Sequence, residues 1–360
     1  MNAILKEDID NIYESVRNSG AWEGATIVIT GCAGFLGYYF MNFFTIKSRN
    51  LGIKKLIGLD SFLLEEPKWL KNLASENSGL VELHKFDISK DNFSEITNFS
   101  DPTYVIHGAS IASPTFYRKY PIETIDANIW GLRKLLDFFR TSSSLKGFLF
   151  FSSSEIYGDP EKNEIPTSEE YRGNVSCNGP RACYDESKRL GETLCYIYGN
   201  NFNMPVVVAR PFNNYGPGMH INDKRLPADF AKMTLNNKDI EILSDGKPTR
   251  TFCYISDAIS GYLLCLTHGK YDYFNIGIDS PEISVLELAE IYKKVSSELF
   301  DYSGEITYQK SDDPDYMVDN PNRRCPKIDK AVKILGYKPK VNVQQGVKRY
   351  LKFLKYDLNL

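Results

Sequence analysis

Short, mostly apolar runs recur along the first 210 residues of the chain and are separated by longer mixed segments. The runs occupy residues 25–30, 54–59, 80–86, 104–107, 147–151 and 204–210. Continuous apolar character, as in Phe148 to Phe151, indicates a strand with both faces buried, because helices cover both faces of a parallel sheet. The pattern therefore predicts an α/β fold with a doubly wound parallel sheet in residues 23–210.

The two flanking regions have different patterns. Residues 1–22 place apolar side chains against acidic ones at helical spacing, which predicts a helical extension packed on the body of the protein. Residues 211–360 are predicted to form mainly a smaller C-terminal α/β domain, with some segments returning to the large sheet. The loop 61–79 is long enough to be a lid or a surface elaboration, and the lysine-rich end of the chain is expected to be a surface helix.

A glycine-rich turn connects the first predicted strand to an apolar helix. It reads Gly31-Cys-Ala-Gly34-Phe-Leu-Gly37. Glycines here allow a tight turn, close approach of the backbone to a pyrophosphate, and close packing of the helix on the strand, while the helix N-terminus faces the phosphates. The turn predicts a Rossmann-type dinucleotide site that includes Gly31, Gly34, Phe35, Leu36 and Gly37.

An aspartate ends the second predicted strand. In a dinucleotide site, a carboxylate at the position of Asp60 accepts hydrogen bonds from both hydroxyls of the adenosine ribose. It also repels a 2′-phosphate, so that Asp60 favours NAD over NADP. The alternative is an ordinary solvated aspartate in a loop.

The fifth predicted strand ends in polar residues that include Ser153, Ser154 and Glu155, which are expected to point into the ligand crevice of the sheet. Further along, Tyr184 and Lys188 are four positions apart, which places both on one face of a helix. A lysine ammonium favours the phenolate, so the pKa of Tyr184 is expected to fall from near 10 toward roughly 7. Tyr184 would then exchange a proton with an alcohol during hydride transfer, and Ser153 would hold the same oxygen.

Two stretches carry a resemblance to a known family: Ser152-Ser-Ser-Glu-Ile-Tyr-Gly-Asp-Pro160 and Gly179-Pro-Arg-Ala-Cys-Tyr-Asp-Glu-Ser-Lys-Arg189. With the glycine turn, they resemble the extended short-chain dehydrogenase/reductase superfamily in its nucleotide-sugar-modifying branch, and most of all UDP-glucuronate decarboxylases. The likeness runs from about Ile27 to Leu335. It implies NAD as cofactor, a UDP-sugar as substrate, and transient oxidation at C4 of the sugar, followed by loss of carbon dioxide from UDP-glucuronate to give UDP-xylose.

The resemblance also implies roles for further residues. Cofactor contacts are implied for Tyr184 and Lys188 and for Asp87, Ile88, Ala109 and Asn128. Contacts with the nucleotide diphosphate or the sugar carboxylate are implied for Asn213, Arg225 and Arg250, whose amide and guanidinium groups suit that task. Ser154 and Glu155 are expected to handle the carboxylate and the protons of the sugar.

Two departures bear on the reaction. Decarboxylases commonly carry a lysine where this chain has Asp126, and a lysine suits an anionic sugar better. Nucleotide-sugar 4,6-dehydratases carry an acidic aspartate where this chain has Ser154, and serine is a poor acid, so decarboxylation is favoured over dehydration. A 4-epimerase stays open as an alternative. A non-catalytic NAD-binding sensor is an alternative of another class, although such relatives typically lack the tyrosine or the lysine.

Composition narrows the choice of partners. The chain has 360 residues, 42% hydrophobic residues and a net charge of −3, which gives no electrostatic basis for nucleic-acid binding. Seven scattered cysteines and four histidines predict no metal site and fit a reducing cytoplasm. The N-terminus lacks a signal-peptide pattern, and no apolar run is long enough to span a membrane. The apolar faces of helices near 128–140 and 183–199 predict a homodimer, as in the family.

Overall fold

The computed structural model describes residues 2–17, 20–96, 99, 101–313, 315 and 318–357. Residues 1, 18, 19 and 358–360, which belong to the predicted N-terminal extension and C-terminal domain, lie outside the described residues. The strands are, in chain order, β1 (Thr26–Thr30), β2 (Lys55–Asp60), β3 (Val81–Lys85), β4 (Tyr104–His107), β5 (Gly147–Phe151), β6 (Val206–Pro211), β7 (Asn214–Tyr215), β8 (Ile240–Ile242), β9 (Thr249–Arg250), β10 (Cys253–Tyr254), β11 (Asp272–Ile276), β12 (Ile283–Ser284), β13 (Ile306–Tyr308) and β14 (Arg323–Arg324).

The centre of the protein is a parallel sheet with the strand order β11-β6-β5-β4-β1-β2-β3. Val28 in the middle of β1 is opposite Ile57 on one side and Val105 on the other, and all three are fully buried. The order reverses at β1, as in a doubly wound sheet, and this reversal creates a crevice between β1 and β4 at their carboxyl ends. The fold class predicted from the apolar runs is confirmed.

The helices cover both faces of this sheet. They are α1 (Ala3–Val16), α2 (Phe35–Ile46), α3 (Ser48–Leu51), α4 (Lys68–Glu76), α5 (Pro114–Lys119), α6 (Pro121–Ile125), α7 (Leu132–Phe139), α8 (Ala182–Asn201), α9 (Leu226–Leu235), α10 (Ile255–Leu266), α11 (Val285–Phe300), α12 (Asp329–Leu335) and α13 (Val343–Asp357). One buried cluster joins Ile27 and Ile29 to α1, α2 and α10, and another joins Val28 to α7 and α8. Alternate residues of β1 thus enter opposite cores.

The chain beyond residue 211 builds a second group of elements and also returns to the sheet. Short strands pair as β12-β9-β14, β13-β8 and β10-β7, and α9, α11 and α13 pack beside them. β11 pairs in parallel with β6, and α10 and α12 pack on the sheet near it. The predicted division of the chain at residue 210 stays a prediction.

Two local expectations were wrong. The predicted loop 61–79 contains helix α4, whose Trp69 packs edge-to-face on Tyr38 with ring centroids 4.8 Å apart. The end of the chain is not a solvated surface helix, because one face of α13 carries the fully buried Val347, Tyr350 and Leu351. The spacing of these three residues forms an apolar stripe along α13, and the lysines between and beside them make the stripe hard to recognise in the sequence.

The N-terminal helix α1 inserts a buried carboxylate between the sheet and the second group of elements. Asp8 has no solvent exposure and accepts hydrogen bonds from Tyr39 Oη (2.7 Å), Tyr254 Oη (2.8 Å) and Arg349 (2.7 Å). Burial raises the pKa of Asp8, and Arg349 opposes the rise. Because Tyr39 belongs to α2, Tyr254 to β10 and Arg349 to α13, the extension ties α2 to the C-terminal half of the chain.

Substitution of Asp8 by alanine is expected to lower the free energy of unfolding by about 3 kcal/mol, because it leaves the Arg349 charge and two tyrosine hydroxyls without their shared acceptor. The matched control is Asp10→Ala on the same helix, where a side chain that is 42% exposed pairs with Lys6 and Lys47. The control should cost about 1 kcal/mol or less. Urea unfolding of both variants checks this, and equal losses would contradict a bracing role for Asp8.

Candidate active site

A cavity of about 350 Å³ opens at the carboxyl ends of β1, β4, β5 and β6. The predicted site residues that line it are Gly31, Gly34, Phe35, Leu36, Gly37, Ser153, Ser154, Glu155, Tyr184, Lys188, Asn213, Arg225 and Arg250. Five others lie outside this lining, namely Asp60, Asp87, Ile88, Ala109 and Asn128. The structure thus brings the two halves of the predicted site together from elements more than 200 residues apart in the chain.

The glycine turn has the geometry that a bound dinucleotide requires. Gly31 has φ of +70°, and a Cβ added there would lie 2.6 Å from the backbone nitrogen of Ala109. A Cβ on Gly37 would lie 2.5 Å from the carbonyl oxygen of Cys32. Helix α2 begins at Phe35, so that its free N–H groups face the cavity and suit a pyrophosphate. These residues fit an NAD phosphate site.

The predicted adenosine-side residues have partners of their own. Asp60 accepts hydrogen bonds from the backbone nitrogens of Ala33 (3.0 Å) and Phe62 (2.8 Å), and burial raises its pKa. A carboxylate has about four acceptor positions, so Asp60 retains capacity for ribose hydroxyls while it braces the glycine turn. Asp87 bonds to Ser89 and pairs with Lys90 at 3.0 Å.

The other three predicted cofactor residues lie around the same end of the sheet. The backbone nitrogen of Ala109 donates to Thr30 Oγ1 at 3.2 Å. Ile88 is buried in the core that contains α7. Asn128 donates to Ser187 Oγ at 2.8 Å, and its buried Oδ1 has no hydrogen-bond partner among the described residues. Their contacts with NAD stay predictions.

Helix α8 presents the predicted catalytic pair to the cavity. Ser153 is near enough to Tyr184 to lower its pKa, and Lys188 Nζ lies 5.6 Å from the Tyr184 ring centroid. Lys188 Nζ donates to the carbonyl oxygen of Phe151 at 2.8 Å, which fixes α8 against the end of β5. Burial lowers the pKa of Lys188 to about 7.

The expected lowering of the Tyr184 pKa does not arise from the protein alone. Burial raises the pKa of Tyr184 to about 12, and the Ser153 hydrogen bond only partly opposes it. The reason is that the same burial also disfavours the charged form of Lys188, the cation expected to stabilise the phenolate. Further positive charge near Tyr184 is needed for it to act as a base near neutral pH.

An aromatic stack that the sequence did not reveal supports Tyr184. Tyr117 in α5 stacks on Tyr184 with ring centroids 5.0 Å apart and an interplanar angle of 12°. The Arg181 guanidinium lies 5.9 Å from the Tyr117 ring centroid. Tyr117 and Arg181 also line the cavity, so the three side chains form one wall.

Glu155 is the centre of a buried ionic cluster. Arg181 donates to Oε2, and Arg324 donates to both carboxylate oxygens, with 2.8 Å between its Nη2 and Oε2. Burial would raise the pKa of Glu155, but Arg181, Arg324 and Arg250 outweigh it and hold the pKa at about 2. Glu155 is therefore ionised at neutral pH and serves as an anchor for cations.

Arg250 contributes a charge that no carboxylate of the described residues neutralises directly. Its guanidinium donates to the carbonyl oxygens of Thr249 (2.8 Å), Pro321 (2.5 Å) and Asn322 (3.2 Å) and to Asn320 Oδ1 (3.2 Å), all of which are neutral. Burial and the neighbouring Arg324 lower the pKa of Arg250 to about 9, which still leaves it charged at neutral pH. The cluster of Glu155, Arg181, Arg250 and Arg324, called here the arginine cluster, thus gives this end of the cavity an excess of positive charge.

The remaining predicted substrate residues approach from the C-terminal half of the chain. Asn213 has φ of +43° and donates from Nδ2 to the carbonyl oxygen of Thr251 at 2.9 Å. Arg225 pairs with Asp223 and lies 5.6 Å from the Phe35 ring centroid. This position puts a guanidinium beside the glycine turn.

Asp126, which stands where decarboxylases commonly carry a lysine, lies outside the cavity. Asp126 begins a π-helical segment, Asp126–Gly131, and is not among the cavity-lining residues. It interacts electrostatically with Lys90, the partner of Asp87. Asp126 therefore does not line the cavity, and its expected effect on an anionic sugar stays a prediction.

Sequence reasoning missed Arg181, Arg324 and Tyr117. Arg181 stands three positions before Tyr184, and that helical spacing was a usable signal. Arg324 lies 169 residues from Glu155 in the chain, and no local pattern connects the two. In the described part of the chain, no His, Cys, Asp and Glu side chains group as a metal site, and no helix is long and apolar enough to cross a membrane.

Known proteins resemble this chain over nearly its whole length. The model of the NAD dependent epimerase/dehydratase family matches residues 27–277. UDP-glucuronic acid decarboxylase 1 of Xenopus tropicalis is 32% identical over 99% of this chain and 80% of that protein. UDP-glucuronic acid decarboxylase 6 of Arabidopsis thaliana is 32% identical over 92% of this chain and 90% of that protein.

A solved structure extends the comparison to three dimensions. UDP-glucuronic acid 4-epimerase from Bacillus cereus, in complex with UDP-glucuronic acid and NAD, superposes with a TM-score of 0.73 at 26% identity, over 92% of this chain and 99% of that chain. The family resemblance inferred from the glycine turn and the serine-tipped strand is confirmed, and with it NAD as the cofactor. The chain belongs to the NAD dependent epimerase/dehydratase family.

Proposed function

We propose that this NAD-dependent enzyme decarboxylates UDP-glucuronate to UDP-xylose. The observation that carries the proposal is the excess positive charge of the arginine cluster at the cavity end beside Tyr184. Buried guanidinium groups in excess of carboxylates suit an anionic ligand group, and the carboxylate of a uronic acid has the matching charge and planar shape. The decarboxylases at 32% identity support the same assignment.

The proposed chemistry begins at the C4 hydroxyl of the sugar. Tyr184 takes its proton, and Ser153 holds the same oxygen by a hydrogen bond. NAD, when bound, supplies a hydride acceptor and a positively charged ring, which is the further charge that Tyr184 requires. The resulting C4 ketone is β to the carboxylate and accepts the electron pair as carbon dioxide leaves. Protonation at C5 and reduction at C4 then complete UDP-xylose.

The arginine cluster has a defined part in this scheme. Arg250 binds the sugar carboxylate or a phosphate, while Asn213 and Arg225 bind the diphosphate. Because Glu155 is ionised, it fixes Arg181 and Arg324 around the carboxylate rather than donating a proton. Ser154 contributes a hydroxyl at the same strand end.

Dehydration is disfavoured by the same geometry. A 4,6-dehydratase needs an acid to protonate the departing C6 hydroxyl. Ser154 is too weak an acid, and Glu155, with its pKa near 2, carries no proton at neutral pH. A 4-epimerase is the second candidate, because the Bacillus cereus UDP-glucuronic acid 4-epimerase is 26% identical to this chain, and oxidation at C4 would serve epimerisation as well.

One incubation separates these activities. Purified protein with NAD and UDP-glucuronate should give a nucleotide product lighter by one carbon dioxide, measured by mass spectrometry with chromatography. A product of unchanged mass but altered retention would indicate the 4-epimerase, and unchanged substrate would overturn both assignments.

Two further sequence expectations belong to this proposal. We expect a homodimer, supported by the exposed apolar side chains of Trp130, Leu190, Tyr196 and Ile197 on or beside α7 and α8. Light scattering that gave a monomer mass at micromolar concentration would refute it. We also expect a cytoplasmic location, which cell fractionation would test.

A further inference from the structure

One acidic side chain beside the candidate active site has no part in the proposed chemistry. Asp185 follows Tyr184 in α8, is 5% exposed, and does not line the cavity. Its Oδ2 lies 3.5 Å from Arg181 Nε, and its Oδ1 is buried without a hydrogen-bond partner among the described residues. A carboxylate held in this way is not satisfied by hydrogen bonds, so its main effect on neighbouring groups is through its charge.

The groups that interact electrostatically with Asp185 come from several parts of the fold. They are Tyr117 in α5, Glu155 after β5, Arg324 in β14, and Arg181, Cys183 and Tyr184 at the start of α8. The two tyrosines and the cysteine are neutral near pH 7, because burial raises the pKa of each. Among the described groups named here, Glu155, Arg181 and Arg324 therefore bring fixed charges to Asp185.

The charge of this region depends on whether Asp185 carries a proton. The arginine cluster consists of three guanidinium groups and Glu155. The cluster and Asp185 together have two surplus positive charges when Asp185 is protonated and one when Asp185 is ionised. Burial and Glu155 raise the pKa of Asp185 to about 7, against Arg181 and Arg324, so both forms occur near neutral pH.

We propose that Asp185 is a positioning residue that sets the net charge of the arginine cluster and thereby makes the binding of an anionic sugar depend on pH. The inference rests on the proposed function, because the carboxylate of UDP-glucuronate is the anion that the cluster would hold. Asp185 acts through Arg181, which it shares with Glu155, and does not touch the substrate.

The sign of the effect follows from linkage. A bound carboxylate disfavours an ionised Asp185, so binding above the pKa of Asp185 takes up a proton and weakens as pH rises. If binding shifts the pKa of Asp185 by about one unit, the affinity differs about tenfold between the acidic and alkaline limits. UDP-glucose has the same diphosphate but no carboxylate, and its affinity should not follow this dependence.

The test measures binding without turnover. The holoenzyme with NAD is made as Tyr184→Phe, and dissociation constants of UDP-glucuronate and UDP-glucose are measured by calorimetry at about pH 6 and about pH 8.5, on either side of the Asp185 pKa. The preference for UDP-glucuronate should fall about tenfold between the two conditions. Adding Asp185→Asn should abolish this decrease in preference, because asparagine is neutral at both pH values.

The matched control is Glu186→Gln, added to the same background. Glu186 is the next residue of α8, its side chain is 41% exposed, and it pairs with Arg189 at 3.7 Å on the surface. This variant removes the same charge outside the cluster and should retain the fall in preference. Loss of the fall in both variants would show a general charge effect and overturn the inference.

A second readout does not require the Asp185→Asn variant to fold. Calorimetry of Tyr184→Phe in buffers with different ionisation enthalpies counts protons taken up on binding. Uptake above pH 7 should be larger for UDP-glucuronate than for UDP-glucose, and equal uptake would overturn the inference. If the wild type decarboxylates UDP-glucuronate but its preference for UDP-glucuronate over UDP-glucose does not depend on pH, the proposed function holds and the role of Asp185 is overturned. A pH-dependent preference without decarboxylation would support the role of Asp185 and overturn the proposed decarboxylation. Failure of UDP-glucuronate to bind would overturn both proposals.

Discussion

Replacement of Tyr184 by phenylalanine is expected to reduce turnover by about 10²- to 10⁴-fold. The Tyr184 phenol lines the cavity, interacts with Ser153, and lies on α8 with Lys188 Nζ 5.6 Å from its ring centroid. Phenylalanine keeps the ring that stacks on Tyr117 at 5.0 Å, so the cavity wall should persist. The affinity for NAD should therefore change by no more than a few fold.

Steady-state turnover and NAD titration measure the two effects separately. Tyr196→Phe is the matched control, because Tyr196 lies on the same helix, is 56% exposed and does not line the cavity. It should leave both quantities unchanged. If Tyr184→Phe retained wild-type turnover, Tyr184 could not be the base.

Replacement of Arg324 by glutamine is expected to lower kcat/KM for UDP-glucuronate by about 10²-fold, equivalent to about 3 kcal/mol. The change removes the bidentate hydrogen bonds from the Arg324 guanidinium to Glu155, and Arg181 is then the remaining described cation bonded directly to that carboxylate. It also removes one of the positive charges proposed to hold the sugar carboxylate. The kcat/KM of Arg324→Lys should lie between those of the wild type and Arg324→Gln, because lysine keeps the positive charge but not the bidentate geometry of a guanidinium.

Arg323→Gln is the matched control for this prediction. Arg323 is the preceding residue, its side chain is 40% exposed, and it pairs with Glu282 at 2.6 Å outside the cavity. Thermal unfolding curves should accompany the kinetics, because breaking a buried pair also lowers stability. Comparable losses of kcat/KM in both variants would refute the assignment of Arg324 to the site.

Local sequence signals were sufficient for the sheet, the glycine turn and the pair on α8. Continuous apolar runs identify buried parallel strands, and the Gly31 to Gly37 spacing identifies a turn that must approach a phosphate closely. Tyr184 and Lys188 lie on one helical face because of their spacing alone. These features depend on residues near each other in the chain, which is why the sequence reveals them.

Electrostatic features required the tertiary structure. The sequence suggested that Lys188 would lower the pKa of Tyr184, yet burial reverses the direction, and burial is a property of the packed protein. The position of Asp126 outside the cavity lining could not be read from the sequence either. Likewise, lysines concealed the buried face of α13.

The sequence by itself determined the parallel sheet, the glycine turn and the shared helical face of Tyr184 and Lys188, because each follows from periodicity or spacing within one segment. Only the tertiary structure decided that Arg324 reaches Glu155, that the described partners of Arg250 are all neutral, and that Asp8 joins α2 to α13. Contacts between residues 169 or more positions apart leave no local pattern in the chain. The balance of desolvation and charge that sets the pKa values of the site exists only once those contacts are made.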